Sequence, residues 1–146
     1  MKYKYYSSLE TLSTLEKQKI VKFLYEHLDE FGDPEKDISN AIDYAMSSYP
    51  LAGGFILTAE DNGNIRGAVV MNKTGMKGYI PENILVYIAV HDKDRGKGIG
   101  KQLMNESMRY AKGDIALHVE PNNPAKFLYE KVGFTNKYLE MRLKRS

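Results

Sequence analysis

Asn83-Ile84-Leu85-Val86-Tyr87-Ile88-Ala89-Val90 is followed, after His91-Asp92-Lys93-Asp94, by Arg95-Gly96-Lys97-Gly98-Ile99-Gly100. The first run is almost continuously apolar, which is how a strand covered on both faces reads. Downstream, Ile99, Leu103, Met104, Ser107, Met108 and Ala111 recur at helical spacing until Gly113. The glycine-rich turn therefore joins a buried strand to an amphipathic helix. Asp114 to Glu120 then alternates Ile115, Leu117 and Val119 with Ala116, His118 and Glu120. That pattern predicts a strand lying parallel to the first through a βαβ crossover.

Working outward, the chain before this unit reads as two helices and a hairpin. Ser13-Thr14-Leu15-Glu16 fits a capping box, and Ile20, Val21, Leu24, Leu28 and Phe31 form one apolar stripe up to Gly32. Asp33 suits an N-cap with Pro34 at the first helical position, and Ile38, Ala41, Ile42, Ala45, Met46 and Tyr49 continue a helix to Pro50. Phe55 to Ala59 and Ile65 to Met71 flank Asp61-Asn62-Gly63-Asn64, whose Asn-Gly pair suits a tight antiparallel hairpin. Tyr3 to Tyr6 reads as an extra edge strand. After the βαβ unit, Asn123 as N-cap and Pro124 begin a short helix through Val132, Gly133 ends it, and Tyr138 to Leu143 alternates as a last strand. The class is α/β, or α+β by its antiparallel half, in the order (β)ααββ-βαβ-αβ.

At 146 residues the chain fits one domain, 1–146, and its 42% apolar and 27% charged residues are those of an ordinary globular protein. It has no cysteine, which removes disulfides, thiolate metal sites and a cysteine nucleophile together; no metal site is expected. With 21 basic and 19 acidic residues, net charge +2, bulk electrostatics do not call for a nucleic-acid partner. No stretch approaches the roughly 20 apolar residues of a membrane span, and the polar start Met1-Lys2-Tyr3-Lys4 is unlike a signal peptide. A cytoplasmic address without membrane attachment is expected.

The glycine loop opens a helix where backbone N–H groups lack intrahelical partners, glycines let the main chain approach a ligand closely, and Arg95, Lys97 and Lys101 add positive charge. A diphosphate suits it. A P-loop is excluded because Gly96 and Gly100 stand one residue too close and Gln102 follows Lys101. A dinucleotide fingerprint is argued against by the G-x-G-x-G spacing and by the two helices and hairpin that precede the loop. The plain alternative is a tight turn with no ligand; the flanking strand, helix and basic residues favour a ligand.

The stretch Ile88 to Met104 resembles the acetyl-CoA-binding motif of the GNAT superfamily of N-acetyltransferases, Arg/Gln-x-x-Gly-x-Gly/Ala. Asn122-Asn123-Pro124-Ala125-Lys126-Phe127-Leu128-Tyr129-Glu130-Lys131-Val132-Gly133-Phe134 resembles its second motif, Asn-x-x-Ala-x-x-Leu-Tyr-x-x-x-Gly-Phe. With the hairpin, the likeness covers roughly residues 53 to 143. The resemblance implies a mixed, splayed sheet flanked by helices, and transfer of acetyl from acetyl-CoA directly to a primary amine of a small molecule or peptide. It implies that main-chain groups of Ile88 and Val90 pair with the pantetheine arm. It implies further that the pyrophosphate would rest on Gly96, Lys97, Gly98, Ile99 and Gly100 with Arg95 and Lys97 alongside, and that Asn122 would bond the pantetheine. By the same resemblance Tyr129 would be the acid for the leaving thiolate and Glu82 the candidate base, with Glu120 and His118 as alternatives. Asp29, Glu30, Asp33, Glu35 and Asp37 crowd the junction of the first two helices, where the family forms part of its acceptor site; a solvated charged face is the simpler reading. Tyr25, Tyr44 and Tyr49 are candidates for that pocket or for core margin. The competing function is a non-catalytic acyl-CoA sensor, and the resemblance leaves a homodimer open.

Overall fold

The structure is a computed structural model, and residues 1–145 are described. A five-stranded sheet in the order β1-β2-β3-β4-β5 carries β1 (Lys2–Tyr6), β2 (Gly54–Asp61), β3 (Asn64–Lys73), β4 (Asn83–Val90) and β5 (Ile115–Leu117). Neighbours are antiparallel except β4 and β5, which run parallel. The hairpin between β2 and β3 turns on Asn62 and Gly63, both at positive φ, the backbone that the Asn-Gly pair tolerates.

Helices cover both faces. On one lie α1 (Thr14–His27) and α2 (Glu35–Ala45), burying Ile20, Phe23, Leu24, Ile38 and Ile42 against Ile56, Ala68, Val70, Tyr87 and Ala89. On the other lie α3 (Ile99–Tyr110) and α4 (Lys126–Lys131), whose Ile99, Leu103, Met104 and Tyr129 meet Phe55, Leu57, Val69, Met71 and Leu85. Gly67 on β3 permits the close seat of α3, since a Cβ there would stand 2.7 Å from Leu103 Cδ1. Ser13 completes the expected capping box with Glu16, each side chain bonded to the other's backbone N–H.

Five boundaries differ from expectation; one is the short helix expected from an Asn123 cap and Pro124, which begins at Lys126 with Ala125 as its cap, the Asn123 side chain being held in a turn with the Ala125 N–H. The first helix ends at His27, and Asp29–Phe31 form a separate 3₁₀ turn entered through Asp29 at φ 54°. The second helix begins at Glu35 with Pro34 as its cap, because the Asp33 carboxylate is taken by the Tyr87 hydroxyl instead of its own helix. It ends at Ala45, leaving Tyr49 79% exposed. The strand expected over Asp114 to Glu120 pairs only at Ile115–Leu117, because β4 and β5 diverge beyond that point. The last strand, Tyr138 to Leu143, is absent: the segment is unpaired and Leu139, Met141 and Leu143 are all exposed. Alternation alone does not make a strand where the neighbouring edge is three residues long.

Candidate active site

The divergence begins with one extra residue in β4. Opposite β3, Val70 pairs with Tyr87 and Met71 with Leu85, so Val86 has no partner of its own. This is a β-bulge, and it resets which way side chains point. In a regular strand Leu85 and Tyr87 would share a face; here Leu85 joins the α3 side while Val86 and Tyr87 both join the α1–α2 side. Past the bulge, the His91 N–H donates to Arg66 O of the β3 strand at 2.9 Å. Alternation back along the strand turns the N–H and C=O of Val90 and Ile88 away from β3, toward the β5 side. The last β4–β5 pair is Leu85 with Leu117, so the main chain at Ile88 and Val90 faces an opening.

The glycine loop closes the same end of β4. Gly96 and Gly98 adopt φ 81° and 85°, and a Cβ at either would meet no protein atom within 4 Å. Gly98 is the N-cap of α3, with no side-chain cap and no acidic residue in the first turn, in contrast to the fully capped α1. The N–H groups at the start of α3 are therefore free to hold an anion. Gly100 has a different use: a Cβ there would lie 3.2 Å from Leu128 Cδ2 and 3.6 Å from Val90 Cγ2, so it seats α3 between α4 and β4. Ile99 is a core residue at 7% exposure, contributing its backbone to the turn.

The basic residues of the loop are held by acids. One Arg95 nitrogen, Nη2, donates to His27 O at 2.8 Å and pairs with Asp29 Oδ2 at 3.1 Å and Asp92 Oδ1 at 2.9 Å. Arg95 thus ties the loop to the end of α1. Lys97 Nζ lies 3.2 Å from Asp94 Oδ1, and Asp94 also bonds the Arg66 guanidinium. That guanidinium first, and Lys97 with it, holds the Asp94 carboxyl below the usual range. The His27 and His91 rings lie against each other at a tilt, with centroids 4.2 Å apart and an interplanar angle of 37°.

Tyr129 is 8% exposed in α4, edge-on to Phe134, within the cluster that includes Ile88, Val90 and Leu117. Burial pushes its phenol up to about 12. Its hydroxyl has no protein partner, and among the described residues Ser107 Oγ is the one side-chain polar atom both sealed and unpartnered; the Tyr129 hydroxyl therefore meets solvent. Asn122 is exposed in the turn before α4, where its neighbour Asn123 accepts from the Ala125 N–H at 2.9 Å. Glu82 sits at the opposite end of β4 from the loop. Its carboxylate lies against Gly113, where an added Cβ would stand 1.9 Å from Oε2.

On the α1–α2 side, an open cavity of about 540 Å³ is lined by Tyr25, Glu26, Asp29, Gly32, Asp33 and Pro34. Asp33 Oδ2 accepts from the Tyr87 hydroxyl at 2.6 Å. Burial first, then this bond, raises the Tyr87 phenol. Tyr44 bonds the backbone of Leu51 and Lys73 and does not line that cavity.

The sequence profile of the acetyltransferase (GNAT) domain matches residues 52–136, more than half of the chain. The chain belongs to the GNAT acetyltransferases. A 5-NmdU N-acetyltransferase of Pseudomonas phage PaMx11 is 32% identical over 102 residues, 68% of this chain and 70% of that protein. The fold matches an aminoglycoside N-acetyltransferase AAC(6')-Iy in complex with CoA at a TM-score of 0.72 and 14% identity, over 99% of this chain and 95% of that one. It matches a ribosomal-protein-alanine N-acetyltransferase from Brucella melitensis biovar Abortus 2308 at 0.64 and 17% identity, over 100% and 99%. As a GNAT acetyltransferase the chain is an acyltransferase, and relatives of this family act on amines.

In this GNAT chain the structure brings Ile88, Val90, Gly96, Gly98 and Tyr129 to one end of the sheet and leaves Glu82 at the other. Sequence reading missed the bulge at Val86, the Arg95–Asp29 tie and the Tyr87–Asp33 bond. The last joins residues 54 apart, and its one sequence signal was a phenol inside an otherwise apolar strand.

Proposed function

We propose that this acetyltransferase takes its acetyl group from acetyl-CoA at the open end of β4 and delivers it to a primary amine. The observation that carries this is a coincidence in space: an unpaired strand edge at Ile88 and Val90 ends beside an uncapped helix start whose glycines leave room above the main chain. The residues fit the coenzyme. The N–H groups from Gly96 to Gly100 would seat its diphosphate, with Lys97 alongside; Ile88 and Val90 would bond the amide-bearing arm, with Asn122 near it. Arg95 acts by fixing the loop against α1. Acetyl-CoA supplies an acyl carbon already activated as a thioester, so no protein nucleophile is required.

The chain's own groups then have three tasks. The Ile88 N–H polarises the carbonyl as its oxygen gains charge, a donor fixed in place before reaction. Tyr129, a phenol that is neutral at physiological pH and held so more firmly by burial, donates to the departing sulfur. The cavity between α1 and α2 admits the amine, and its carboxylates favour a cationic one. The protein acts in the cytoplasm on this reading. Calorimetric titration with acetyl-CoA is expected to give saturable heat and a raised melting temperature. Free thiol should then appear when amines are added. A flat titration with folded protein refutes the proposal.

A further inference from the structure

We propose that Asp33 is the base that removes the proton from the acceptor amine, an assignment that rests on the acetyl-transfer reading above. The reaction needs a proton acceptor near the opening in β4, and the carboxylates of this chain are not equally placed for it. Glu82 is turned onto Gly113 at the end of β4 where β4 and β5 are still paired. Glu120 is exposed beyond the paired part of β5. Asp33 instead reaches β4 itself through the Tyr87 hydroxyl, 2.6 Å away. Tyr87 immediately precedes Ile88, whose N–H faces the opening.

Three features suit Asp33 to the task. Its Oδ2 is occupied by Tyr87, which fixes the carboxylate and leaves Oδ1 for a nitrogen. It lines an open cavity of about 540 Å³, with room for an amine and a route for the proton to water. It is also spared from capping its own helix, since Pro34 occupies that position without a side-chain bond. The titratable groups around it are Tyr25 and Glu26 of α1 and Asp29 of the turn in the same cavity, Tyr87 of β4, and Asp37 of α2, which acts on the same phenol; Arg95 is committed to Asp29.

The amine lone pair forms an N–C bond to the acetyl carbon while the C–S bond breaks. Two protons leave the nitrogen: the ammonium proton passes to Asp33 and on to cavity water, which frees the lone pair, and the second follows the same route once the N–C bond has formed; one proton passes from Tyr129 to sulfur and is replaced from solvent. The products are the N-acetyl amide and the free thiol.

Asp33→Asn, Asp33→Glu, Tyr87→Phe and Glu82→Gln are compared by thiol release from acetyl-CoA with spermidine, putrescine, kanamycin and a lysine peptide between pH 6 and 9. Calorimetry gives acetyl-CoA affinity, and circular dichroism gives folding. Asp33→Asn should lower kcat on the order of 100-fold at pH 7 with acetyl-CoA affinity within about twofold of the parent. The deficit should narrow as pH rises and the amine loses its proton to solvent unaided. Asp33→Glu should restore the parent profile, and Tyr87→Phe, which keeps the carboxylate, should cost less than Asp33→Asn. A loss of the same factor at every pH, full activity in Asp33→Asn, or a pH-dependent loss confined to Glu82→Gln overturns Asp33. A parent protein that binds no acetyl-CoA, or releases no thiol with any of these amines, overturns the transfer reading as well.

Discussion

Gly98→Ala, set against Gly63→Ala, separates a binding loop from a mere turn. Both glycines sit at nearly the same left-handed φ, 85° and 79°, and neither has a protein atom within 4 Å of an added Cβ. The backbone cost of placing alanine there is therefore the same, about 1–2 kcal/mol. For a chain of this length that lowers the melting temperature by about 3–7 °C. What differs is the use of the empty space: at Gly63 it is solvent beside a hairpin, at Gly98 it is the seat argued for the diphosphate. A methyl group over that seat should displace at least one N–H bond to a charged oxygen, worth about 1.5–3 kcal/mol, or roughly 10- to 100-fold in affinity. Thermal melts and acetyl-CoA calorimetry on the two variants read both quantities. Equal melting losses with acetyl-CoA binding unimpaired in Gly98→Ala would refute the reasoning, leaving the glycines as turn-formers only.

Three further outcomes are expected. Tyr129→Phe should lower kcat by about 10-fold or more while acetyl-CoA affinity holds; stopped-flow thiol release with a saturating amine checks it. Because burial holds the Tyr129 phenol at about 12 against about 10 unfolded, the neutral form is favoured in the fold. That contribution is present in full below pH 10 and is lost as pH rises through 12, so urea unfolding should show Tyr129→Phe gaining on the parent by roughly 2 kcal/mol between pH 8 and 11.5. Gly67→Val should drive α3 off the sheet, since even a Cβ meets Leu103 Cδ1 at 2.7 Å and Ile99 Cγ2 at 3.1 Å; a loss of about 1–3 kcal/mol in urea unfolding is expected.

Where the backbone itself needed a particular residue, the sequence was legible. Gly96 and Gly98 stand at positive φ, and Ser13 with Glu16 makes a reciprocal cap; each need is local and is met by a residue type few others replace. The βαβ crossover could likewise be read, because an apolar run, a helical stripe and a second alternation follow in order. The bulge at Val86 could not. Both faces of β4 are covered, so every position is apolar or aromatic, and nothing in such a run marks where the period slips. Tyr138 to Leu143 misled for the converse reason: its alternation is real, but pairing depends on an edge that β5, ending at Leu117, does not extend to offer. Arg95 was legible as a cation beside a loop, while its partners His27 and Asp29 lie more than 60 residues away and are set by how α1 crosses the sheet.

The single extra residue in β4 links the two halves of the chemistry. Without it, Leu85 and Tyr87 would share a face, and the phenol would point into the α3 side among Leu103 and Met104. With it, Tyr87 turns to the α1–α2 side and meets Asp33 at 2.6 Å. The same slip leaves Ile88 and Val90 presenting main-chain groups toward a neighbour that has already diverged at Leu117. One extra residue therefore both leaves the strand edge open, where the proposal seats the thioester arm, and aims a side chain at the opposite cavity, where the proposal brings in the amine. On the proposed reading donor and acceptor would approach from the two sides of one strand, and the residue that sets both sides is Val86, through its place in the backbone.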